Sequence, residues 1–184
     1  IWKITSREFD IWMRLLINKK NSVLWLLSDE EMVIENLRRE AYSRSVSPDR
    51  LVFAKRLDLD MHLARHQWAD LFLDTFAYNA HTTASDALWA GLPVLTMKGN
   101  SFPSRVSASI LTAAGLPELI KTSEVDYESQ AQWLANHPDE LQKIKEKLNR
   151  NRLKCSLFDT VQQTRNLEKI YIDCWEKTVN LCAD

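Results

Sequence analysis

The stretch LDTFAYNAHTTASDALWAGLPVLTMKGN, residues 73–100, decides how the rest of the chain is read. A short apolar run, Leu71–Leu73, ends in Asp74, and small and polar residues lead on to His81, Thr82 and Thr83. An apolar pattern at helical spacing then runs to Ala90. Gly91 stands where a helix turns off and Pro93 where it cannot continue, so a helix is predicted over 82–90. VLTM (94–97) reads as the next strand. A strand, a polar loop, a helix and a second strand make up the unit from which parallel sheets are built.

The same alternation extends in both directions. Upstream, Ser6 reads as a helix cap, with Phe9, Trp12, Met13 and Leu16 following at helical spacing. NSVLWLL (21–27) is a continuously apolar run that predicts a strand buried on both faces. A helix is expected from Glu30 to Tyr42, a break at SPDR, a strand at LVFA (51–54) and a short helix from Asp60 to His66. Downstream, a helix from Pro103 to Ala114 ends at Gly115, and ELI (118–120) reads as a short edge strand. Helices are then expected over 126–135, 138–153 and 160–181. The expected fold is α/β, a Rossmann-like parallel sheet with helices on both faces over 1–122, followed by a mainly helical tail over 123–184.

The 184 residues suit one domain. With 24 basic and 25 acidic residues the net charge is −1, which gives no electrostatic basis for binding nucleic acid or an anionic membrane. No apolar run approaches the roughly 20 residues that span a bilayer, and no signal-peptide layout is present. Cys155, Cys174 and Cys182 fit neither a disulfide framework nor a CxxC metal site, so a cytoplasmic location is expected. The chain opens on IWKITSREFDIW, without Met and already in structured-looking sequence, which suggests a domain taken from a longer protein.

In an open parallel sheet, ligands bind beyond the C-terminal ends of the strands. Residues 74–83 occupy such a place. Thr82 and Thr83 stand at a helix start, where free amides and the helix dipole favour an anion and the hydroxyls add donors. Asp86, one turn further, can accept from vicinal hydroxyls such as those of a ribose, and His81 can donate to a phosphate oxygen. Asn, His, Thr and Asp before a helix are also ordinary turn and cap residues, and both readings stand at this level. No glycine-rich dinucleotide or P-loop fingerprint is present. Lys3 precedes a helix start and can meet a phosphate or simply be solvated. His62 and Arg65 lie three apart on one helical face. With His66 they lack the spacing of a zinc site, and no metal is expected. The tryptophans fall mostly at apolar positions, as core residues do.

The block LDTFAYNAHTTASDALWAGLPVLTMKGNSFPSRVSASILTAAGLPELI (73–120) closely resembles the C-terminal catalytic lobe of the O-linked N-acetylglucosamine transferase family, which includes the SPINDLY-like proteins. IWKITSREFDIWMRLLINKKNSVLWLL (1–27) resembles that family's segment from a phosphate-binding lysine through a helix into a strand. SLFDT and NLEKIYIDCWEK resemble its closing helical region. The resemblance covers essentially the whole chain and is least dense over 28–49 and 124–151.

What it implies is the C-terminal lobe of a GT-B glycosyltransferase that takes a UDP-sugar donor without a metal or other cofactor. By position, Lys3 matches the lysine that neutralises the donor diphosphate, and would be the catalytic residue of this lobe. His62 and Arg65 match residues near the base. His81, Thr82 and Thr83 match the motif that holds the diphosphate at a helix end, and Asp86 matches the carboxylate that binds the ribose. Leu59 stands where animal enzymes carry a lysine against the uracil. The SPINDLY-like O-fucosyltransferases lack the histidine and carry glutamate for the aspartate, so His81 and Asp86 favour UDP-N-acetylglucosamine over GDP-fucose. Protein acceptors would be engaged by an N-terminal lobe and tandem helical repeats lying upstream. Two other readings compete with this one: a nucleotide-binding module without catalysis, and a structural domain in which NAHTT is only a cap.

Overall fold

A computed structural model describes the backbone of residues 2–181 and the side chains of residues 2–179. Helix α1 (Ser6–Asn18) comes first, and its cap is Thr5 rather than the expected Ser6. The reason is Glu8, which accepts from the Thr5 amide at 3.1 Å and from the Thr5 hydroxyl, in the manner of a capping box. Phe9, Trp12, Met13 and Leu16 are buried, as their spacing requires. The far end of α1 is closed by Arg50, whose guanidinium donates to the carbonyls of Leu16 (2.6 Å), Lys19 (2.6 Å) and Ser22 (2.7 Å). Helix ends leave such carbonyls without partners of their own.

Among the described residues, five parallel strands form two hydrogen-bonded groups. β1 (Leu24–Leu27) pairs with β2 (Leu51–Ala54), Leu24 opposite Leu51. β3 (Phe72–Leu73), β4 (Val94–Met97) and β5 (Ile120–Lys121) make the second group, in that order. β5 lies at the edge as expected but starts only at the last residue of ELI, because Pro117–Leu119 wind into a 3-10 turn. In β4, Val94, Leu95 and Thr96 are all buried, the mark of a strand with neighbours on both sides and helices on both faces. β1 departs from expectation. Its run is not buried on both faces: Leu24 and Leu26 pack against the core, while Trp25 and Leu27 are 37% and 43% exposed. An unbroken apolar run does not reveal how many faces are covered, and a strand with a single partner has less around it.

The helices between strands are α2 (Glu31–Ser43), α3 (Leu59–Arg65), α4 (Thr82–Trp89) and α5 (Val106–Ala113). α5 begins three residues after the expected Pro103, because residues 98–105 fold into a loop around Ser104. The Gly99 amide donates to the Ser104 carbonyl (2.8 Å) and the Ser101 amide to its hydroxyl (3.1 Å). A Cβ at residue 99 would lie 2.4 Å from Ser104 Oγ, so the loop closes only around glycine.

Beyond residue 122 the helices differ in how they pack. Tyr127, Ala131 and Leu134 of α6 (Glu124–Asn136) and Leu141 and Leu148 of α7 (Pro138–Asn151) belong to the same buried core as α1 and β4. The end of α7 also closes two other helices. Arg152 donates to the Trp89 carbonyl (2.7 Å) and Asn151 to the Ala114 carbonyl (3.0 Å), at the last turns of α4 and α5. Each of those helices stops at a glycine with positive φ, Gly91 (86°) and Gly115 (74°). Helix α8 (Thr160–Leu181) is exposed along all of its described side chains. Cys155 and Cys174 are free thiols, and Cys182 lies outside the described residues. Among the described residues no helix is long and apolar enough to cross a membrane.

Leu95 at the centre of β4 is fully buried. Leu95→Ala is expected to lower the unfolding free energy by about 3 kcal/mol in urea titrations, the usual cost of the lost methyl groups plus the cavity.

Candidate functional site

Two buried carboxylates shape the loop that joins β3 to α4. Asp74 Oδ1 accepts from the amides of Thr75 (2.9 Å) and Ala80 (2.7 Å), and Oδ2 accepts from the Thr96 hydroxyl (2.6 Å). Glu8 Oε1 accepts from the Phe76 amide at 2.7 Å, which ties α1 to the same loop. The Tyr127 hydroxyl donates to the Asp74 carbonyl (3.0 Å) and accepts from Trp12 Nε1 (3.4 Å). Burial pushes the Asp74 carboxyl above the usual carboxylate range, while the surrounding hydroxyl and amide donors pull it back. Burial also holds the Tyr127 phenol well above its ordinary value, so the proton it donates stays in place.

The loop is closed further by its own side chains and by Ser107 of α5. The Thr75 hydroxyl donates to the Tyr78 carbonyl (2.7 Å), Asn79 Nδ2 to the Thr75 carbonyl (2.7 Å), and the Ser107 hydroxyl to the Ala80 carbonyl (2.6 Å). The Asn79 amide donates to the Pro103 carbonyl (3.0 Å), joining this loop to the one after β4.

This frame positions the first group of expected site residues. The Lys3 ammonium donates to the Asn79 carbonyl (2.9 Å) and lies 4.2 Å from the centre of the Tyr78 ring. Burial lowers its pKa below the ordinary lysine value, and Asp74 opposes that shift. His81 is the residue that enters α4, its ring stacked on Tyr78 at 4.7 Å and Nε2 3.3 Å from the Pro103 carbonyl. Thr82 and Thr83 open the helix and are exposed. The amides of Ala84 and Ser85 return to the His81 carbonyl (3.0 and 3.2 Å), whereas those of Thr82 and Thr83 have no partner among the described residues. An ammonium, two free amides at the positive end of a helix and two hydroxyls are groups that can each receive an anion.

The second group lies along α3 and α4. His62 is held below the ordinary histidine value by burial first, then by Arg65 and His66, and Asp86 pulls it upward. The α3 imidazole is therefore within electrostatic reach of the α4 carboxylate. Arg65 contacts His62 Nδ1 and donates to the Lys55 carbonyl (2.8 Å). His66 sets its ring edge-on to His62 at 4.7 Å. Helix α4 carries members of both groups, Thr82 and Thr83 at its start and Asp86 one turn on. Among the described residues, no three His, Cys, Asp or Glu side chains are grouped as a metal ion would need.

Sequence reasoning passed over Glu8, Asp74, Tyr78 and Asn79. Thr5 and Glu8 carry the spacing of a capping box, which could have marked the helix start, though not the reach to Phe76. Glu8→Ala leaves the Phe76 amide buried without a partner and is expected to lower stability by about 2 kcal/mol. Tyr127→Phe, which leaves the Asp74 carbonyl without its donor, is expected to cost about 1 kcal/mol. Thermal unfolding with each variant checks both.

Residues 1–167 match the family described as glycosyl transferase family 41. The chain is 35% identical over 177 residues to the UDP-N-acetylglucosamine–peptide N-acetylglucosaminyltransferase of Caenorhabditis elegans, covering 96% of this chain and 15% of that protein. It is also 35% identical over 176 residues to the probable enzyme of that name, SEC, of Arabidopsis thaliana, covering 95% of this chain and 18% of the relative. In three dimensions it is similar to a point mutant of the Thermobaculum terrenum O-GlcNAc transferase, with a TM-score of 0.90 and 29% identity over 95% of this chain and 34% of the other. The chain thus spans less than a fifth of the length of the two eukaryotic relatives and about a third of the bacterial one. It belongs to glycosyl transferase family 41.

Proposed function

We propose that this chain is the donor-binding lobe of a protein O-glycosyltransferase that moves N-acetylglucosamine from UDP-N-acetylglucosamine to Ser or Thr hydroxyls. The observation that carries the reading is the convergence of the Lys3 ammonium and the His81-capped start of α4 on one loop, with two helix amides free. The names of the relatives agree with that donor.

In this reading the diphosphate sits against Lys3, His81, Thr82 and Thr83, Asp86 takes the ribose hydroxyls, and His62 and Arg65 lie near the base. The acceptor hydroxyl displaces UDP at the anomeric carbon with inversion. The electron pair of the breaking bond ends on the β-phosphate oxygen, where the Lys3 charge and the Thr82 and Thr83 donors stabilise it. They do there what a divalent ion does in metal-dependent transfer, so no cofactor is required. The acceptor hydroxyl belongs to a protein substrate, and the group that takes its proton is not among this chain's expected site residues. A cytoplasmic site of action fits the free thiols Cys155 and Cys174.

Parallel calorimetric titrations of the full-length protein with UDP, UDP-N-acetylglucosamine and GDP-fucose test the assignment. Saturable binding of the two uridine compounds is expected, and His81→Ala and Asp86→Ala each weaken it by about tenfold or more, as the loss of a charged hydrogen bond does. Binding of GDP-fucose without UDP would overturn the donor. UDP binding with no sugar transfer by the full-length protein would leave only a nucleotide-binding module. The 184-residue chain by itself is expected to show no sustained transfer, and turnover by it alone would contradict the division of labour.

The pH dependence carries a sign. Because burial lowers the Lys3 pKa, its ammonium is lost on the alkaline side sooner than an ordinary lysine's. The Lys3 contribution to UDP affinity is therefore lost on the alkaline side at a lower pH than an unshifted lysine would give. Lys3→Arg, whose charge does not titrate in this range, removes that loss.

A further inference from the structure

Tyr78 is given no part in the assignments above, yet its ring touches both groups expected to hold the diphosphate. Lys3 Nζ lies 4.2 Å from the ring centre, and the His81 imidazole stacks on the ring at 4.7 Å with 20° between planes. Trp2 meets the same ring edge-on at 5.3 Å. Tyr78 does not belong to the buried core, so these contacts are not a by-product of core packing. Its backbone is itself held, since the Thr75 hydroxyl donates to the Tyr78 carbonyl.

We propose that Tyr78 is a positioning residue for the leaving diphosphate, its ring face steadying the Lys3 ammonium while its stack with His81 fixes the imidazole at the start of α4. The inference rests on the donor-binding reading of this site. A lysine side chain has a long flexible stem and a compact charge that many surroundings satisfy equally well. The negative face of an aromatic ring attracts that charge without competing for its hydrogen-bond donors. One donor goes to the Asn79 carbonyl, the residue next to Tyr78, so ring and carbonyl together aim the ammonium from a single loop. The aromatic ring makes these contacts, and the phenolic oxygen is not needed for them.

The test uses the full-length protein with wild-type, Tyr78→Phe and Tyr78→Leu sequences, titrated with UDP and with uridine. Tyr78→Phe keeps the ring and is expected to bind UDP within about twofold of wild type, whereas Tyr78→Leu weakens UDP by about three- to tenfold. Uridine, which lacks the diphosphate, is bound equally by all three. In a Lys3→Ala background the further change Tyr78→Leu is expected to have a smaller effect on UDP, because the charge it steadies is gone. Thermal unfolding of the three proteins should coincide. Unchanged UDP affinity in Tyr78→Leu overturns the inference. So does a parallel loss of UDP and uridine with lowered thermal stability, which is what a merely structural ring would give. Absence of saturable UDP binding by wild type would overturn the donor-binding reading itself and the inference with it.

Discussion

The structure around the candidate site depends on carboxylates placed where water cannot reach them. Asp74 and Glu8 are both buried, and between them they accept from the amides of Thr75, Phe76 and Ala80. A buried carboxylate is costly unless every lone pair finds a donor, and a buried amide is costly without an acceptor. Each group answers the need of the other. The loop from β3 to α4 is thereby held in a conformation that no local backbone preference would select. Thr96 from β4 and Tyr127 from α6 complete the same cage, so strand, loop and two distant helices are fixed together.

That cage explains why some of the molecule was legible in its sequence and some was not. The helix from Thr82, its glycine stop at Gly91 and the strand at Val94 follow from local patterns, and the structure has them. The placement of Thr82 and Thr83 at an open helix start was legible for the same reason. Thr5 displaced Ser6 as the cap through the local capping box with Glu8, a spacing the sequence carries, whereas the second bond of Glu8, to Phe76 68 residues away, was not legible. The outward face of β1 was not legible either. Trp25 and Leu27 satisfy any measure of a buried strand, and only the arrangement of neighbouring strands leaves them in the open. Asn79 was legible only as a turn or cap residue and Tyr78 not at all, since what matters in them is a backbone carbonyl and a ring face.

Helix α7 illustrates a related economy. Its last residues do not reach the site, yet Asn151 and Arg152 supply donors to the final carbonyls of α5 and α4. α4 is the helix whose start carries Thr82 and Thr83. Its far end is thus tied to an element some sixty residues downstream, and the helix is held at both ends. A binding helix that cannot slide keeps its amides where a ligand meets them, which is the sense in which preorganisation reduces the cost of binding.

The short reach from Lys3 to Glu8 has a thermodynamic corollary. Lys3 stands two residues before the Thr5 cap, and Glu8 fastens that first helical turn to the loop that receives the lysine. In the proposed function, an anion held by Lys3 therefore favours molecules in which α1 has docked. Ligand occupancy and docking of the first helix become one equilibrium, each raising the population of the other. Fraying of the leading segment would then appear as lost affinity before any loss of the central fold.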